Sequence, residues 1–364
     1  MRSILLIDDK TQLLTDLVQA LNTQFRPNEI EIRTWVPTKY QTDPLALFVS
    51  KVDDETVFVV TDYDLTAGGN LGLFGTTIVG WCQARGIPVG DYSRGDPGNL
   101  PKEPNLFELR VPTNLADAAK FIASVVRGFI LIQEQSAVKS ALLGKKRSPA
   151  AVLAELLEVP SLESQLALYS ARLSTSNSGL LDQLMRHTPK DVEPTAAEKQ
   201  KLLNYIVGHT LLNAVLRFPG PILSGQALCA YAGTDNTEVE TICKLFDAAK
   251  YEGPFSSSER YFWLSKVDVL LDEFVEDLPE GVTADTNGGR HRVAIERRLG
   301  RELSRHDCLR CQGVRGGFFC PFTRNTVCQR PDCSVGSNGW IPQGATLCRI
   351  ERDYYEEMSP ILGL

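Results

Sequence analysis

SILLIDDK (Ser3–Lys10) and TVFVVTDYDL (Thr56–Leu65) each run apolar and then end in acids. A continuous apolar run that short reads as a strand buried on both faces, with its carboxylates at the carboxyl edge of a parallel sheet. Between them Leu13, Leu14, Leu17, Val18, Leu21 and Phe25 recur at helical spacing, and Ile30–Trp35 reads as a second strand. Downstream come a glycine-rich loop, a helix around Thr76–Arg85, the strand of GIPVGDYS ending at Ser93, and a last strand at Phe107–Val111. Asn114 is placed to cap a final helix with the stripe Leu115, Ala118, Ile122, Val125, Val126 and Phe129. Strands alternating with helices predict a doubly wound parallel α/β sheet that binds ligands at the carboxyl ends of its strands.

The acids fall where chemistry at the carboxyl edge of a sheet would need them. Asp8 and Asp9 end the first strand, Asp62 ends the third, and the Ser93 hydroxyl ends the fourth. A carboxylate attacks phosphorus only where a hard cation neutralises the crowded oxygens, and Mg²⁺ takes carboxylate, carbonyl and water oxygens. This order of residues resembles the receiver domains of response regulators over residues 1–131. The resemblance implies Asp62 as phosphoacceptor, Mg²⁺ held by Asp9 and Asp62 with Asp8 acting through water, and the Asp64 carbonyl as a further ligand. It also implies contact between Ser93 and the phosphoryl group, and a histidine kinase or other phosphodonor as partner. Two features depart from the family. Val111, not lysine, precedes Pro112, so Arg110 can take that place only if the strand carries a bulge. The segment RGDPGNLPKEPNL (94–106) is too rich in Gly and Pro for the family's fourth helix. DYDLT (Asp62–Thr66) also resembles the first motif of haloacid-dehalogenase-type phosphatases, which would make Asp62 the nucleophile and Asp64 the general acid. That reading leaves Asp8 and Asp9 without a role.

Residues 132–218 read as a helical linker domain. Ser148 and Pro149 start a helix running to Glu158, and Ser161 caps one reaching Leu173. Thr195-x-x-Glu198 forms a capping box before Leu202, Leu203, Ile206, Leu211, Leu212 and Val215. His209 lies in that apolar helix and reads as a core histidine. In 219–276, a helix at Ala227–Gly233, a turn at Thr234–Asn236, a helix within Thr237–Gly253 and a hairpin arm at Phe255–Leu264 resemble a winged helix. The would-be recognition helix carries Glu238, Glu240 and Asp247 against Lys244 and Lys250, a balance unsuited to phosphate contact. A partner protein is therefore expected ahead of nucleic acid.

Glu276–Gly289 has the composition of an exposed linker, and the next helix carries Arg290, Arg292, Arg297, Arg298, Arg301 and Arg305. Residues 290–364 then hold Cys308-x2-Cys311, Cys320, Cys328-x4-Cys333 and Cys348, with His306 nearby. Close cysteine pairs on turns aim two thiolates at one metal, so the expectation is a structural zinc module whose ligands come from these six sulfurs.

The chain has 364 residues, a net charge of −7 and 43% apolar residues, which suits a multidomain globular protein: a parallel-sheet receiver, a helical and winged-helix-like middle, and a small zinc module. The acidic balance gives no global electrostatic reason to expect nucleic acid or anionic membrane as partner, although nucleic acid stays possible through local surfaces. No apolar run is long enough to span a bilayer, and the N-terminus lacks a leader pattern, so a cytoplasmic location is expected. The leading expectation is a divergent response-regulator-type signalling protein, either phosphoaccepting or a pseudo-receiver kept as a docking scaffold, and not an enzyme that turns over substrate. The alternatives are a DNA-binding transcription regulator and a phosphatase using Asp62 and Asp64.

Overall fold

Ser3–Ile7 and Thr56–Thr61 form adjacent parallel strands in the computed structural model. It describes residues 1–37, 43–65, 73–92, 107, 109–139, 148–176, 195–278, 287–305, 308, 310–311, 317–336 and 339–359. These two strands, β1 and β3, are joined by β2 (Glu31–Trp35), β4 (Val89–Asp91) and β5 (Leu109–Arg110). All five run parallel in the order β2-β1-β3-β4-β5. This is the flavodoxin-like order of a doubly wound, receiver-like fold, which places any site at the carboxyl edge beside the switch point between β1 and β3. Every side chain of β1 and β3 is buried, the reason these strands read as unbroken apolar runs.

Helix α1 (Thr11–Asn22) buries Leu14, Leu17 and Leu21 and packs with α4 (Leu115–Val138). Asp43 caps α2 (Pro44–Lys51), whose Phe48 ring lies 5.5 Å from Trp81 of α3 (Gly75–Gln83). Asn114 caps α4 as expected, its side chain accepting from the amides of Ala116 and Asp117. Helix α4 runs past the expected end of the domain and buries Ile132 and Ser136.

The chain divides into two compact units. The first is Met1–Pro149 with Leu173–His209, and the second is Ala150–Arg172 with Thr210–Leu364. Residues 132–218, expected as a separate linker domain, are thus shared between them. After α5 (Pro149–Leu156) and α6 (Glu163–Ser176), α7 (Ala196–Thr210) begins at the expected capping box. The amide of Thr195 donates to Glu198 Oε2 at 2.8 Å, and the amide of Glu198 donates to Thr195 Oγ1 at 3.2 Å. Within the first unit, Tyr205 of α7 stacks on Phe107 at 5.2 Å, and the Gly208 backbone lies so close to Phe129 that a Cβ there would sit 2.3 Å from its ring. His209 is fully buried among Phe107, Phe129 and Tyr205, a core histidine as read.

In the second unit β6 (Ile222–Ser224) leads into α8 (Gly225–Tyr231), capped by Ser224, and then α9 (Val239–Leu245). The single helix expected within Thr237–Gly253 is instead three short pieces: a 3₁₀ turn at Asn236–Glu238, α9, and a second 3₁₀ turn at Asp247–Ala249. Fully buried Phe246, with φ −100° and ψ 19°, interrupts the helix. The expected hairpin arm also differs. β7 (Tyr261–Trp263) pairs antiparallel with β6, because its three aromatic residues gain burial against that strand, and Phe255 turns the chain at φ 66°. α10 (Leu264–Glu276) and α11 (Asn287–Leu299) pack together. The cysteine-rich end carries the short hairpin β8 (Phe318–Phe319) with β9 (Thr326–Val327), the pair β10 (Ser334–Val335) with β11 (Ile350–Glu351), and α12 (Arg352–Met358). It shares its core with the helices, since Phe319 belongs to the same buried cluster as Leu228, Phe246 and Phe262. Among the described residues no helix is long and apolar enough to cross a membrane.

Candidate functional site

Strand geometry sets the acid site. β1 ends at Ile7 and β3 at Thr61, so the next residues on each, Asp8, Asp9 and Asp62, emerge together at the carboxyl edge. One carboxylate oxygen from each lies within 4.8 Å of the other two. Asp8 and Asp62 are buried and Asp9 is half-buried. Asp8 accepts from the Lys10 amide at 2.7 Å, and Asp62 accepts from its neighbour Tyr63 at 2.8 Å. Burial, then the charge of Asp8, push the Asp62 carboxyl up to about 6; the Tyr63 amide and Lys10 offset only part of this. Like charges crowded at that range are relieved by a divalent cation or by a proton, and oxygen-only donors suit a hard ion such as Mg²⁺.

Gly75 keeps this edge in place. Its amide donates to the Tyr63 carbonyl at 2.8 Å, and a Cβ there would lie 2.2 Å from the Asp62 carbonyl oxygen. Asp64 is exposed, bridges to Phe74 through its backbone, and is not one of the three clustered acids. Ser93 lies outside the described residues, as do His306 and the segment 94–106. No bulge interrupts β4–β5, where Asp91 faces Arg110 in register, and Arg110 is exposed while Val111 is buried. The position taken by lysine in the family is therefore Val111, turned into the core.

The second site is a cluster of thiols. Cys308, Cys311, Cys328 and Cys333 place their Sγ atoms within 4.8 Å of one another. The Cys311 and Cys328 sulfurs are 3.8 Å apart. A tetrahedral zinc site with bonds of about 2.3 Å has an S–S edge of about 3.8 Å, so the spacing fits such an ion. Cys311 and Cys333 each lie in a turn. Burial raises the Cys308 thiol, but the amide donors of Cys311 and Arg310 and the Cys328 thiol outweigh it and favour the thiolate. Cys328 and Cys333 are pushed up, first by burial and then by donating to Cys308 and Cys311. The group can thus bind a metal such as zinc. Cys320 and Cys348 stand outside it: Cys320 Sγ accepts from the Glu351 amide at 3.4 Å, and Cys348 pairs with Phe319 through the backbone.

The amino-terminal end of the expected recognition helix is held by other parts of its own unit, while Glu240, Lys244 and Asp247 stay exposed. Glu238, at the start of the would-be recognition helix, is buried and takes both guanidinium nitrogens of Arg301 at 2.9 and 2.6 Å and the Ser304 amide at 3.1 Å. The Asp235 amide donates to the Ser304 carbonyl, and the Asn236 side chain donates to the Arg324 carbonyl. These contacts occupy the amino-terminal end of the helix, the end that reads base edges in helix–turn–helix proteins. Of the six arginines expected as a basic surface, Arg292 pairs with Glu296 at 3.4 Å and Arg298 with Asp277 at 3.8 Å, besides the Arg301 pair. The sequence could not show this, because Glu238 and Arg301 are far apart along the chain and neither sits in a recognisable motif.

No family model matches the chain, and no curated protein matches it. Among solved structures, a response regulator receiver domain protein from Clostridium thermocellum aligns with 34% of this chain and 90% of that one. The identity is 23% and the TM-score 0.25, so the fold rests on the strand order and on the acids at its edge.

Proposed function

We propose that the chain is a response-regulator-type signalling protein whose first unit accepts a phosphoryl group on Asp62 and whose second unit binds a partner protein. The observation that carries this is the convergence of Asp8, Asp9 and Asp62 at the carboxyl edge of a flavodoxin-ordered sheet. Asp9 and Asp62 would hold Mg²⁺, with Asp8 supporting it through water. The ion would neutralise the phosphoryl oxygens and keep Asp62 ionised for attack. Asp62 then displaces the leaving group of a histidine kinase or small phosphodonor. The reading needs no turnover of substrate. The exposed Asp64 carboxylate, standing outside the cluster, gives no support to a phosphatase that pairs it with Asp62.

For the second unit, the order β6, α8, α9, a backbone bridge between Lys250 and Phe262, and β7 supports a winged-helix-like module. Its covered helix end and paired arginines favour a protein partner over DNA. The four clustered thiolates would bind zinc as a closed structural site, with no open position for catalysis. Acetyl phosphate with Mg²⁺ should add one phosphoryl mass as a base-labile adduct that Asp62→Asn abolishes. An unchanged mass, or an adduct surviving that substitution, would leave the first unit as a scaffold without phosphoacceptor function.

A further inference from the structure

Arg349 is unlike the other arginines around it. Its guanidinium is half-buried, yet among the described residues no carboxylate lies within ion-pair reach of it. Nε donates to Ser334 Oγ at 2.6 Å and Nη2 donates to the Ser334 carbonyl at 3.0 Å. The Phe318 ring lies under the guanidinium at 5.5 Å. Gly336 makes room for it, since a Cβ there would come within 2.8 Å of Nη1. Withdrawing a guanidinium from water with only neutral acceptors is unfavourable, and such a group is retained where an anion compensates it.

The acceptor itself leads to the cysteine cluster. Ser334 follows Cys333 in the chain, is 1% exposed, and donates its hydroxyl hydrogen to the Cys328 carbonyl. Arg349 therefore grips, through one serine, both stretches of chain that deliver the second cysteine pair. Four thiolates around a divalent metal carry a net charge of two minus, and a buried centre of that charge needs cations or N–H donors about it. We infer that Arg349 is a positioning residue of the tetrathiolate metal site: its guanidinium supplies counter-charge to the thiolate cluster and, through Ser334, fixes Cys328 and Cys333 for the ion. The inference rests on the metal-binding reading of the four cysteines.

The test uses the full-length chain as purified. Zinc content and zinc transfer to a chromogenic chelator are measured for the wild type, Arg349→Met and Arg349→Lys, and the Co²⁺-substituted proteins are examined by visible absorption. Arg349→Met should lower zinc affinity about 10–100-fold, the size of effect typical for groups that support metal ligands. It should also move the thiolate-to-cobalt charge-transfer band to the red, because removing a nearby cation raises the sulfur electrons in energy. Arg349→Lys should recover much of the band position, since it restores charge without the two-pronged grip on Ser334. Wild-type affinity and band position in Arg349→Met, whatever its melting temperature, would overturn the assignment. If Arg349→Met fails to fold, Arg349→Lys is read against the wild type: a near-native band with weakened zinc affinity would support the assignment, and unchanged zinc affinity or a band displaced to the red would overturn it. A wild type holding less than half an equivalent of metal, with all four thiols freely titratable, would remove the metal reading and this assignment with it.

Discussion

Replacing Glu238 by glutamine keeps the side chain's shape and removes its charge. In the native protein two hydrogen bonds from Arg301, with the Ser304 amide, hold this buried carboxyl down at about 2, against an ordinary value of 4.5. At about 1.4 kcal/mol per unit, the full difference would be roughly 3.5 kcal/mol of stability. Arg301 is nearly half exposed, however, with 46% side-chain accessibility, and water screens the pair. The expected loss on Glu238→Gln at pH 7 is therefore about 1–2 kcal/mol. The sign with pH follows from the depressed value. The carboxylate's contribution is complete above 4.5 and is lost as pH falls towards 2. The difference between wild type and variant should accordingly shrink, by roughly 0.5–1 kcal/mol between pH 7 and pH 4. Urea unfolding at both pH values, followed by tryptophan emission, measures it. A variant within about 0.3 kcal/mol of wild type at pH 7, a small value for a surface substitution, would refute the reasoning, as would a difference that grows in acid.

Asp62 behaves in the opposite sense. Its folded value near 6 lies above the ordinary 3.8, so its ionised form destabilises the cation-free protein above pH 6, and this penalty is relieved as pH falls from 6 towards 3.8. Asp62→Asn should therefore stabilise the cation-free protein at pH 7.5 by about 1–2 kcal/mol after allowance for screening, while Mg²⁺ should raise the melting temperature of the wild type only. Calorimetry with and without Mg²⁺ decides both, and a destabilised Asn variant contradicts the first. Gly75→Ala should abolish phosphoryl uptake with little change in secondary structure, because its Cβ must displace the Asp62 carbonyl; mass spectrometry after acetyl phosphate treatment shows it. Chelation of metal should expose the amides of β8 and β9 together with those of α8 to hydrogen exchange, since Phe319 shares the core of that helix, and should spare β1 and β3; protection retained in α8 would contradict the shared core.

What the sequence reveals here is local. Asp8, Asp9 and Asp62 were legible because each ends an apolar strand. Asn114 and the Thr195–Glu198 pair were legible because a cap is written within four residues. Cys308, Cys311, Cys328 and Cys333 were legible as two close pairs, although spacing alone did not separate them from Cys320 and Cys348. The failures are of long range or of competing burial. The break at Phe246 appears only once its ring is seen in the core, and the pairing of β7 with β6 joins residues far apart in the chain, such as Ile222 and Trp263. Glu238 read as an exposed acid of a recognition helix, whereas Arg301 makes it an internal pin.

The return of the chain to its first unit at Leu173–His209 bears on how such a protein could arise or be recombined. Receiver-like folds are ordinarily exchangeable as a single contiguous block. Here a cut after residue 131 would pass through α4 just before Ile132, which is fully buried, and would discard Tyr205, the residue that stacks on Phe107. A gene fusion that moved this unit intact would need two joined pieces and the excision of Ala150–Arg172 between them. The chain's path makes swapping one unit for another input or output a matter of redesign instead of simple splicing.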